Sequence, residues 1–104
     1  ANLTNSKLIG ANLYGAELSS AGLNEANLSE AILAEADLRG ANLFGASLRG
    51  ANLTGADLYY ATLTEADLTD AIGADLTGAL DVPGKYLKNL AIENPHVSNR
   101  QAIE

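Results

Sequence analysis

The chain has 104 residues with a net charge of −7, thirteen acids against six Lys or Arg, and neither cysteine nor methionine. That length holds one domain. The charge argues against electrostatic capture of nucleic acid or of an anionic membrane, and the lack of thiols excludes a disulfide framework and a cysteine nucleophile.

From residue 1 a leucine recurs at every fifth position, 3, 8, 13 and onward to 68 without a miss. Two residues before each leucine stands Ala, with Ser6 the exception. Five steps of about 100° on a helix would place successive leucines about 140° apart and leave no polar face. In an extended chain, residues two apart share a face, so the Ala and the Leu of a pentad point the same way. Five is odd, and an uninterrupted strand would flip every second pentad outward. The chain must therefore turn once per pentad.

The residues two places after each leucine suit such a corner. Gly stands there at 10, 15, 40, 45, 50 and 55, and most other pentads carry Asn, Ser, Asp or Glu, types that favour or tolerate tight turns and φ > 0. Corners of about 90° would close four pentads into a coil, with coils stacked about 4.8 Å apart through backbone hydrogen bonds. Leu28, Leu38, Leu43, Leu48, Leu53, Leu58 and Leu63 are then the expected core. Glu25, Glu30 and Glu35 would form an acidic belt of corners, with room for their side chains over Gly45, Gly50 and Gly55 of the next coil.

Stacking by one coil also brings Glu17, Asp37 and Asp57 into one column. Like charges about 5 Å apart repel, and Arg39, beside Asp37, is placed to bridge Asp37 and Asp57. Tyr59 follows on the same face and Tyr60 at the adjoining corner. These six residues form the candidate interaction face, suited to a basic protein partner; a solvated acidic face partly neutralised by Arg39 is the plainer alternative.

After Ala71 the register breaks, with eight residues between Leu68 and Leu76, so that one side is shortened or a small loop inserted. The solenoid is expected over 1–81 and a separate tail over 82–104. Tyr86, Leu87, Leu90 and Ala91 lie at helical spacing within 85–94, ahead of Pro95. Ser98 to Gln101 reads as a capping box that starts a short second helix. An uncovered last coil would expose strand edges and bare leucines, so Tyr86, Leu87 and Leu90 are expected to cap it or to pair two copies. With an upstream segment expected to be trimmed from Ala1, the compartment stays open between cytoplasm and, after a signal peptide, periplasm or thylakoid lumen.

The tandem triplets Ala41-Asn42-Leu43, Ala51-Asn52-Leu53 and Ala56-Asp57-Leu58 resemble those of the pentapeptide-repeat proteins, over roughly residues 1 to 80. The resemblance implies an all-β fold, a right-handed quadrilateral parallel β-helix, here followed by the short α-helical cap. The family is abundant in cyanobacteria, and the resemblance assigns most of its members no biochemical role.

Catalytic constellations are missing from the sequence. His96, the single histidine, follows Pro95 without a Ser or carboxylate partner in a known motif, and no phosphate-binding or metal-binding signature occurs. The expectation is a noncatalytic structural or protein-interaction module without cofactor or metal, without direct nucleic-acid binding and without membrane insertion. It would be a monomer, or a dimer through the tail. One alternative is mimicry of DNA towards DNA gyrase or another DNA-binding protein, which the resemblance brings in. Nine acids over residues 1–70, against Lys7, Arg39 and Arg49, make a thin charge beside duplex DNA, which carries about one per 1.7 Å. An enzyme is the other alternative, and a filled repeat core offers it no cleft.

Overall fold

The structure, a computed structural model, describes residues 1–86. Asn2 pairs in parallel with Gly22, Lys7 with Asn27, Asn12 with Ile32 and Glu17 with Asp37, and the same twenty-residue offset carries on to Asn52 with Ile72. One residue of each pentad pairs, the one before the leucine. Four pentads therefore make one turn of the coil, and among the described residues no extended strand forms: the coils are joined by isolated bridges. We number the sides one to four from residues 1–5, 6–10, 11–15 and 16–20, each recurring every twenty residues.

Backbone accounting explains why five residues suffice for a side and a corner. In the second coil, the residue before the leucine donates back to the first coil, as Asn27 N does to Ser6 O at 2.9 Å. The leucine donates forward, Leu28 N to Ser47 O at 2.7 Å, and so does the corner residue, Glu30 N to Arg49 O at 2.8 Å. The next alanine closes the turn, Ala31 N to Leu28 O at 3.0 Å. That leaves one amide per pentad, the one after the leucine. Where the residue before the leucine is Asn or Asp, its side chain accepts that amide: Asn42 Oδ1 from Phe44 N at 3.0 Å, and Asp57 Oδ1 from Tyr59 N at 3.0 Å. The Asn/Asp preference thus serves the backbone, through an Asx turn.

Leucine and alanine fill the inside. Leu28, Leu38, Leu43, Leu48, Leu53, Leu58 and Leu63 are buried, as is the alanine two residues before each leucine from Ala21 to Ala66. Leu3, Leu8 and Leu13, in the first coil, are only partly covered. The corners take φ near +60° in every pentad, by Gly45 at 64° and by Glu25 at 63° alike. Glu25 and Glu35 lie across Gly45 and Gly55, where an added Cβ would meet their carboxylates. In both columns the long acid is followed by glycine one coil on, so it meets no like charge there.

The register break shortens a side. Ala71-Ile72-Gly73 keeps the outward residue, Ile72, but reaches the corner at Gly73, φ 66°, without the leucine and the residue that follows it. Beyond it Leu76 is buried again, and Thr62 pairs with Leu80 at an offset of eighteen. After Leu80 the chain crosses the end of the last coil, with Val82 buried, and forms a single 3-10 turn, Gly84–Tyr86. Of the helix expected over 85–94 only Lys85 and Tyr86 are described, within this 3-10 turn; the remainder, with Leu87 and Leu90, and the second helix lie outside the described residues. Replacing Leu43 with Ala should cost about 2–5 kcal/mol in urea denaturation, and Leu43→Asp should leave no cooperative transition.

Candidate interaction face

Side four carries the residues singled out above. Glu17 pairs with Asp37 and Asp37 with Asp57 in consecutive bridges, so the three carboxylates stand one coil apart on the same side. Arg39 engages them unequally. Its Nε and one terminal nitrogen donate to the two oxygens of Asp37 at 2.8 and 2.6 Å, a bidentate pair, while Asp57 Oδ2 lies 3.9 Å from Nε. Arg39 therefore leans on its own coil and only approaches the next. Its neighbourhood holds the Asp37 carboxyl down at about 2, chiefly through the guanidinium hydrogen bond, and raises the guanidinium in return. Asp57 is more exposed than Asp37, and the guanidinium leaves it the more available of the two.

Tyr59 and Tyr60 lie side by side, ring centroids 4.4 Å apart and planes inclined by 47°, and both are about half exposed. Tyr60 sits on the corner at φ 63°. The Tyr59 ring lies against Gly78 of the last coil, where a Cβ would meet its Cδ1 and Cε1. The glycine is what lets the ring down onto the coil. Tyr60 also pushes the Tyr59 phenol above its ordinary value.

Sequence reasoning missed one member of this face. With two residues removed from the last coil, Asp75 follows Asp57 on side four, and both line an open cleft of about 420 Å³ together with Tyr59 and Thr77. Asp75 Oδ1 accepts from Thr77 N and Oγ1 at 3.0 and 2.6 Å, the same Asx turn as in the coils before. The signal was the eight-residue gap between Leu68 and Leu76, which shifts the column by two. Among the described residues, no group of three or more His, Asp or Glu side chains is arranged to hold a metal ion.

The other sides differ in character. Side two carries a second ion pair, Arg49 to Asp67 at 3.1 Å. Asp67 lies well below the usual carboxylate range, chiefly because Thr69 donates its hydroxyl and its amide to it. Side three has no charge before its corners and exposes Tyr14, Ile32 and Ile72.

Eight copies of the family model for pentapeptide repeats match residues 1–33 and 36–78. The chain belongs to the pentapeptide repeat family. A crystal structure of a pentapeptide repeat protein from the cyanobacterium Cyanothece 51142 is 44% identical, with a TM-score of 0.68, over 68% of this chain and 48% of that one. The chain thus spans about half the length of that protein. A pentapeptide repeat protein from the Arabidopsis thaliana thylakoid lumen is 25% identical, with a TM-score of 0.66, over 83% of this chain and 74% of that one. Comparison with curated proteins gives no match. No helix among the described residues is long and apolar enough to cross a membrane.

The Asp37 carboxyl should titrate near 2 by NMR, and Arg39→Gln should bring it back towards 3.8. Because the folded value is depressed, the stability from this pair is complete above the unfolded value of about 4 and is lost as the pH falls through about 2. The variant should flatten that part of the acid-unfolding curve.

Proposed function

We propose that this repeat protein is a noncatalytic protein-docking module that presents side four to a basic partner, as a monomer or as a dimer joined through its tail. The observation that carries the reading is the column Glu17, Asp37, Asp57 beside an exposed aromatic pair. Repeating coils place carboxylates at a fixed spacing on a stiff support, which suits side chains spaced along a partner's own surface. An Arg or Lys head from the partner would meet Asp57 and Asp75 at the cleft and the faces of Tyr59 and Tyr60 beside it, where a cation gains from both carboxylate and ring. Asp37, already held by Arg39, orients Arg39 and fixes the upper limit of the patch.

The finer architecture belongs to the same reading. The coil is right-handed, as the family resemblance implies, and the helical spacing of Tyr86, Leu87 and Leu90 supports an α-helical cap over its end. The compartment is cytoplasmic or, after removal of a leader, periplasmic or thylakoid-lumenal, and the lumenal source of one similar structure favours no more than the inclusion of that last option.

The test uses the doubly substituted Asp57→Asn, Asp75→Asn chain, in which the amide oxygens keep both Asx turns and the coil stays intact. Bait protein and variant are exposed to lysate of the source organism at low and moderate salt, and captured proteins are titrated individually. A basic protein that binds the parent and loses roughly threefold to tenfold in affinity to the variant supports the reading, in line with about 0.5 kcal/mol or more for each exposed charge pair. Equal binding to both chains contradicts it.

A further inference from the structure

Tyr86 closes the end of the rod in a way that the repeat itself explains. In the coil above, Leu48 N donates to the carbonyl of Asp67, at 2.7 Å. Leu68 is the residue one coil further on, and its amide donates to the Tyr86 hydroxyl, also at 2.7 Å. A phenol oxygen occupies the place where the next coil would supply a backbone carbonyl. The same hydroxyl lies 3.4 Å from Asp67 Oδ1, to which it donates.

We propose that Tyr86 is a side-chain lock that holds the strap from Val82 to Tyr86 shut across the last coil, and that this strap opens and closes while the coil beneath it stays wound. Three features confine the device to the strap. The bond from Tyr86 N to Pro83 O at 3.0 Å only closes the strap's own turn, so among the described residues the hydroxyl is the strap's polar tie to the coil. The receiving side is rigid, because Asp67 is held by Thr69 and Arg49 whatever the tyrosine does. Between strap and coil lies a cleft of about 390 Å³ lined by Leu68, Ala71, Ala74, Leu76, Lys85 and Tyr86, so the strap does not pack tightly over its floor. Val82, fully buried, is the hinge-side anchor.

Opening would bare the Leu68 amide and the leucines under it, and the edge so uncovered is the kind on which backbone from another chain adds. The lock therefore keeps that end of the rod from pairing. It acts independently of side four.

Amide hydrogen exchange, read residue by residue on the full chain, tests the lock. Tyr86→Phe keeps the ring and removes the acceptor. Exchange at Leu68 should rise about tenfold or more, a local opening, while Leu48, whose acceptor is a backbone carbonyl, keeps its rate. Unchanged exchange at Leu68 would overturn the lock. So would an equal rise at Leu48, since the loss would then be of the whole coil. As a second readout, Tyr14→Phe, at an exposed tyrosine on side three, should alter neither rate.

Discussion

Everything in this molecule depends on the twenty-residue offset between hydrogen-bonded partners. Each side lends one donor backwards and two forwards, so a coil is held by its neighbours and has little strength alone. The leucines are buried because coils stack, and coils stack because their backbone groups have nowhere else to go. A parallel pair usually needs a long crossover connection; here the coil itself is the connection, with a corner every five residues. The requirement for φ near +60° at each corner is met by glycine in some pentads and by Glu, Asp, Asn, Ser or Tyr in others. The long corner residues beside glycine show that the strain of a non-glycine corner is accepted where its side chain finds room on the next coil.

The stack separates structure from recognition. The two inward positions are almost invariably Ala and Leu, and the remaining three face outward, free to vary as long as the Asx turn and the corner are served. The charges of side four and the apolar side chains of side three sit on the same frame without disturbing it. Asp37 and Asp57 have a double use: each carboxylate holds the backbone amide two residues on and also faces Arg39. An acidic column is therefore partly a by-product of turn chemistry, and the exposed tyrosine pair beside it is what singles out side four.

Much of the fold was legible because a period of five has few solutions. The inward leucines, the corners, the acid-over-glycine columns and the stacking of Asp37 on Asp57 all follow from it. The function of Asn and Asp before the leucine was not legible, since it emerges only when every backbone amide has been assigned and one per pentad is left. The sequence sets Arg39 near both Asp37 and Asp57 but gives no reason for it to prefer Asp37; the local fork geometry decides. Asp75 was overlooked because a column counted in twenties fails once a side loses two residues. The helical spacing puts Tyr86 in an apolar stripe, and the structure adds to its packing against the core a polar partner that spacing does not show, the amide of Leu68.

Amide exchange along residues 21–60 would test the coil most directly. The coil predicts a five-residue rhythm in which the amides of the leucine, of the residue before it and of the corner are slow, and the one after the leucine is fast. That fast amide should be slowed where Asn or Asp precedes the leucine, as at Phe44, and not where Ile does, as at Ala34. Uniform protection, or a rhythm of three to four residues, would contradict the coil and everything argued from it.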